Sequence, residues 1–293
     1  MKKILLASTI LAGTAGFAAA DNANFTFSGE AYTGLAFSFG DEAVGADPDG
    51  DGVTGEADVT VFQPEVYANF TVAMMTTTDG GLEAGAKFDI DGFGVFVEDD
   101  HTEGNFGSAE TENGGIGDVE VYLSGEWGKF EADYEGGKDV DFIYTNSFGD
   151  FDIEIWYEYV FGQDNDEYGA EGTYNFADYS VWAGVEYQQD LDGGNGGFDV
   201  WVGASASMNG FSGEVEVNYE NISEDWDWYA EVGYAMDAYS FGAFIEDDGT
   251  DDDIDFGVNA SYDLGGGVSV DAAYVYDADL DVSVAKAGVS MSF

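Results

Sequence analysis

The chain has 293 residues, no cysteine, and 61 acidic residues against six lysines and no arginine, giving a formal net charge of −55. A disulfide framework and a thiolate metal site are thereby excluded, and nucleic acid and anionic headgroups are poor partners for so acidic a surface, whereas cations are good ones. Disorder often accompanies such charge, but 45% of the residues are hydrophobic, and 23 Phe, 18 Tyr and six Trp are surface that needs burial.

The first element is a leader. Lys2 and Lys3 precede an apolar stretch over 4–17, and Ala18-Ala19-Ala20 then supplies small side chains before Asp21. That order reads as a Sec-type signal peptide, residues 1–20, cleaved after Ala20. The stretch is too short to span ~30 Å of hydrocarbon comfortably. No later segment carries 18 consecutive apolar residues, so membrane-spanning helices are excluded beyond the leader. Residues 21–293 read as a single β-barrel domain.

From Phe25 onward the chain alternates with period two. Phe25, Phe27, Ala31, Leu35, Phe37 and Phe39 fall on one face, and Thr26, Ser28, Glu30, Tyr32 and Ser38 on the other. Such alternation predicts strands with one apolar and one polar face. Sixteen segments of this kind follow in order: 24–39, 59–74, 81–97, 118–127, 129–136, 139–147, 151–161, 167–176, 179–189, 198–208, 211–220, 226–236, 239–247, 254–264, 268–277 and 281–293.

The connections sort by parity. Odd-numbered strands lead into acidic loops: 41–58, 98–118 and 246–255 each hold seven acids. Even-numbered strands lead into short turns such as Met208-Asn209-Gly210. Acidic loops at one end and tight turns at the other predict a transmembrane antiparallel barrel whose turns face the periplasm. Phe130, Phe151, Tyr179, Phe211 and Tyr239 each follow such a turn, which predicts an aromatic girdle there. Trp226 and Trp228 fall on the outward parity, as for an interfacial belt. Val282 and Val284 break the parity of the last strand, which predicts a bulge or a later strand start.

Within the first acidic loop, Asp47, Asp49 and Asp51 are spaced as positions 1, 3 and 5 of a calcium loop, with Gly52 at 6 and Asp58 at 12. Calcium takes several oxygen ligands on a tightly turning backbone, so this is a candidate calcium site. An acidic loop in an Asp-rich chain also matches such spacing by chance. His101, the single histidine, has no nucleophile motif beside it, and neither a phosphate-binding nor a zinc spacing occurs. The chain is therefore not expected to be an enzyme, and no cofactor is required.

In a lipid-facing barrel the polar face lines the lumen. The predicted pore-lining residues are Glu30, Glu65, Glu83, Lys87, Asp89, Glu120, Glu126, Glu131, Asp133, Glu154, Glu171, Glu214 and Glu216. Asp152, Glu158, Glu186, Glu231, Asp271 and Lys286 share their parity. Rings of acids favour cation passage.

The leader, the alternating segments, the Gly-rich acidic loops and the terminal Phe293 together resemble the general porins of alphaproteobacteria, the Rhodobacter type. Val119 to Gly128 followed by Lys129 to Glu135, the turn from Thr76 to Leu82, and Ala287 to Phe293 carry the likeness locally. The resemblance implies a homotrimer of sixteen-stranded barrels in outer-membrane lipid that passes small hydrophilic solutes. Two departures stand out. The family narrows its pore with a long inward third external loop, but here the connection near Gly136 to Val140 is short. The family also lines one wall with arginines, which this chain lacks. The loop 98–118 is an alternative constriction, and a wide, uniformly negative pore is another. A plugged surface barrel and a secreted acidic β-protein are the rival readings.

Overall fold

The computed structural model describes residues 24–40, 59–78, 81–97, 109–135, 139–160, 166–189, 196–221, 223–247, 249, 254–278 and 282–293. The leader, the calcium-spaced loop with Asp47, Asp49, Asp51 and Asp58, and His101 lie outside them.

Sixteen strands form the described chain: β1 (Asn24–Gly40), β2 (Val59–Thr77), β3 (Glu83–Val97), β4 (Ala109–Gly125), β5 (Gly128–Glu135), β6 (Asp139–Phe148), β7 (Phe151–Val160), β8 (Asp166–Phe176), β9 (Tyr179–Gln188), β10 (Gly197–Met208), β11 (Phe211–Glu220), β12 (Asp225–Met236), β13 (Tyr239–Asp247), β14 (Asp255–Gly265), β15 (Val268–Asp277) and β16 (Val282–Ser292). Each pairs antiparallel with its neighbour in sequence, and β16 pairs with β1, so the sheet closes into a barrel. Closure leaves the sheet without a free edge strand, as hydrocarbon requires. At the seam, Gly29 and Phe293 exchange N–H···O bonds of 2.9 and 3.0 Å. The Phe293 ring lies 5.9 Å from Phe70 and 6.2 Å from Phe27. Gly29 is required beneath them: a Cβ there would meet Phe293 Cζ and Phe70 Cδ1, both at 2.9 Å.

Curvature tells the two faces apart. On the convex side of a closed sheet side chains splay, and on the concave side they crowd. The apolar parity is the exposed one, as with Phe198 and Val202 on β10 and Phe211 and Val215 on β11. The acidic parity is the more covered one and faces the lumen. Water cannot be the solvent for so much exposed apolar surface, whereas lipid can.

The convex face carries two aromatic belts. Phe211–Tyr234 and Tyr239–Tyr262, with ring centroids 4.4 and 4.7 Å apart, lie beside the short turns. Tyr219–Trp226 and Tyr168–Tyr187, at 4.9 and 5.2 Å, lie toward the opposite rim. Eight residues separate Phe211 from Tyr219, which at ~3.3 Å per residue and a tilt of ~40° gives a band about 20 Å tall. That is the scale of a thin hydrocarbon layer, and Val215 and Val217 fill it. Phe130, Phe151, Tyr179, Phe211 and Tyr239 are all exposed on this face, as the sequence predicts. The turn beside Phe211 uses Asn209 (φ 54°) and Gly210 (φ 83°), the paired left-handed residues that match the twist of a two-residue hairpin.

Two sequence expectations need correction. β4 begins at Ala109, not at 118, so 109–118 is wall and not part of a free loop. This stretch is rich in Gly, Asn and Glu and hides its alternation, but its backbone pairs with β3 from Val97↔Ala109 to Ile90↔Ile116. Its register with β5 starts only at Val119, so the β3–β4 ribbon stands above that neighbour. Second, β16 has no bulge at Val282 and Val284. Register with both β1 and β15 is unbroken from Val282 onward. The two valines point inward and are 0% and 2% exposed, packed with Val275. The wall is covered at this corner, where Ser38, Asp277 and Ser283 are buried as well.

Candidate pore-lining site

Directly opposed residues of an antiparallel pair share a face. Applied strand by strand, this rule assembles a row of carboxylates around the inner wall. Glu120 on β4 opposes Asp133 on β5, Asp133 opposes Asp141 on β6, Asp141 opposes Glu158 on β7, and Glu158 opposes Glu167 on β8. Five strands in succession thus present an acid along one row, which climbs the wall obliquely because the strands tilt. Opposed side chains are ~5 Å apart at Cβ, and like charges at that spacing are destabilising.

The described lysines hold fixed partners around the row. Lys87 opposes Glu120 and pairs with Asp89 at 3.1 Å. Lys129 pairs with Glu120 at 3.1 Å and with Glu131, over the Tyr122 ring. Lys286 on β16 reaches Glu65 on β2 at 3.4 Å, and Glu65 is almost wholly buried. That pair crosses above β1, because Glu65 opposes Gly34 and Lys286 opposes Ala36.

The other predicted residues take these places. Glu30 lies inward between Ser292 and Asn69. Glu83 accepts a hydrogen bond from Tyr122 Oη at 3.0 Å, and Asp89 one from Thr71 at 2.5 Å. Glu154 opposes Glu171, and Glu214 opposes Glu231. Asp152 accepts from Asn175 at 2.6 Å, and Asp271 accepts from Ser261, Ser269 and Ser290. Glu126 is the exception: it lies in the exposed two-residue turn between β4 and β5, at the rim and not on the wall. Its position continues the strand parity, but the chain reverses before that residue can point inward.

Several inward residues escape a strand-by-strand reading. Asp141 and Glu167 complete the row but gain meaning only from their partners. Three tryptophans are also inward. Trp156 lies over Gly169, Trp201 over Gly184 and Trp182 over Gly203, where an added Cβ would collide with each indole. Each indole crosses one strand and donates its Nε1–H to an acid on the next: Trp156 to Glu186 at 2.9 Å, Trp201 to Glu171 at 2.7 Å, Trp182 to Glu216 at 2.6 Å. Their parity signal was available, since Trp156 shares it with Asp152, Glu154 and Glu158. Among the described residues, no group of His, Asp and Glu converges tightly enough to hold a metal ion.

A family model described as Gram-negative porin matches residues 7–132 and 134–281. The chain belongs to the Gram-negative porin family. Its fold agrees with solved porins. A triple mutant of Rhodopseudomonas blastica porin superposes with a TM-score of 0.66 at 16% identity, over 92% of this chain and 100% of that one. Another mutant of the same porin gives 0.65 at 14% over the same shares. An engineered protein described for asymmetric conductivity gives 0.66 at 15%, again over 92% and 100%. No curated protein sequence matches the chain. Membership makes this an outer-membrane channel for small solutes, and the acidic concave face is the wall of its lumen. The porin's third external connection spans only 136–138, between β5 and β6.

Proposed function

We propose that this porin is a passive, cation-selective diffusion channel. The observation that supports the reading is the unbroken row Glu120, Asp133, Asp141, Glu158 and Glu167. The described lysines each stand beside a carboxylate, which leaves the field of the wall negative. A cation entering the lumen meets an attractive potential along its path and an anion meets a repulsive one. The solute moves down its own gradient, so neither a cofactor nor a catalytic residue has work to do.

The reading includes removal of residues 1–20 on export and assembly as a homotrimer, the latter on family likeness. It also includes calcium at Asp47, Asp49, Asp51 and Asp58, on their spacing alone. Titration of the folded barrel with calcium should show one site that Asp49→Asn weakens at least about tenfold. An unchanged isotherm in that variant removes calcium from the proposal.

The decisive experiment is the reversal potential of the refolded mature chain in a planar bilayer under a KCl gradient. A potential of the sign set by potassium, fading as ionic strength rises toward ~1 M, is expected. Equal permeability to potassium and chloride contradicts selectivity. Absence of conductance from a verified folded barrel contradicts an open pore and favours a plugged one.

A further inference from the structure

Beyond inorganic cations, the inner wall over β7 to β11 has the composition of a site for organic ones. Trp156 and Trp201 approach from opposite sides, the first across β8 and the second across β9, and their rings stand 5.9 Å apart, tilted by 35°. One face of each indole rests on glycine backbone. Both residues nevertheless remain partly exposed, so the other face looks into the lumen. The edge of each ring is fixed by its hydrogen bond to Glu186 or Glu171. Donation to a carboxylate also polarises the indole and leaves its face more electron-rich. Trp182, bonded to Glu216, extends the same arrangement to β11.

We propose that Trp156 and Trp201, flanked by Glu171 and Glu186, bind organic ammonium ions in transit, quaternary ammonium above all. Such ions are weakly hydrated, carry apolar groups that spread over a ring face, and are drawn to it by the ring quadrupole. The carboxylates supply charge complementarity. Lys87 on β3 and Lys286 on β16 lie on other parts of the wall, and Lys129 on β5, which lines a cavity with Glu171, is held by Glu120 and Glu131. Potassium keeps its water and gains less from an aromatic face. A neutral sugar would stack on the same rings but draws nothing from the field, so the charge of the wall favours the ammonium ion. The inference rests on the reading of the lumen as an open, cation-favouring pore and narrows its solutes.

The test uses choline as probe on the refolded mature barrel, with two readouts. In a planar bilayer choline should interrupt potassium current in brief, concentration-dependent blocks, and in detergent it should quench tryptophan fluorescence over the same range. In Trp156→Leu/Trp201→Leu the half-blocking concentration should rise about tenfold or more, while Trp156→Phe/Trp201→Phe, which keeps the ring faces, should lose only a few-fold. Heat-modifiable gel mobility verifies that both variants fold. Blocks of equal strength in wild type and the leucine variant overturn the proposal in favour of diffuse charge. Stronger block by a neutral maltooligosaccharide than by choline overturns it in favour of sugar stacking. Potassium current without choline block defeats this inference alone, whereas absence of all current defeats the pore reading on which it stands.

Discussion

Conversion of Glu120, Asp133, Asp141, Glu158 and Glu167 to their amides together is expected to lower the ratio of potassium to chloride permeability by about three- to tenfold. A unit charge about 10 Å from a permeating ion contributes ~0.4 kcal/mol in water, and a Debye length of ~10 Å at 0.1 M salt cuts this to ~0.15 kcal/mol. Five such charges favour a cation by about 0.7 kcal/mol and oppose an anion equally, which sets the upper end near tenfold. Acids at other levels of the wall act in series and set the lower end. The variant should stay about as stable as the parent, because relief of opposed like charges offsets loss of the Lys129–Glu120 pair. Reversal potentials of both proteins, recorded at two salt concentrations, check this. If the ratio is unchanged, the row is solvated wall and the filter lies elsewhere.

Lys286→Met is expected to destabilise the barrel by about 2–4 kcal/mol, the cost of stranding a carboxylate that the parent keeps 2% exposed. Glu65→Gln should cost less, since the ammonium it leaves is the more exposed partner, 16% against 3%. The double variant should recover much of the loss, giving a coupling energy of about 1–3 kcal/mol in the mutant cycle. Reversible unfolding of the detergent-refolded barrel in urea measures all four proteins. Additive losses would mean that the pair at 3.4 Å is a neighbourly contact and not a clamp.

The alternation of β7 to β16 was readable because a half-wet strand must alternate, and those ends agree with the structure to within a residue. The start of β4 was not readable, because Gly, Asn and Glu break the alternation there and only its pairing with β3 reveals the strand. Val282 and Val284 defeated the same rule from the other side, since a covered inner wall imposes no polarity. The acids of the candidate site were individually legible by parity. Their row was not, because it depends on how far each strand slides against the next, which loop composition leaves undetermined. The inward tryptophans are hard to read from sequence for a related reason: an aromatic on the wet face has no explanation without the glycine on the facing strand that makes room for it.

Fifteen of the sixteen ladders join strands adjacent in sequence, and only one joins the two ends of the chain. Hairpins close cheaply, whereas bringing β16 to β1 closes a loop of nearly the whole chain. Until that step every partial structure is a curved sheet with two bare edges, each a template for another chain. Contacts at the seam, among them Glu65 with Lys286 and Gly29 with Phe293, therefore form late. Weakening them should leave the early hairpins untouched and act on how fast the finished barrel reopens. In such a molecule the time spent with unjoined edges, more than the depth of the final well, sets the yield of folded protein.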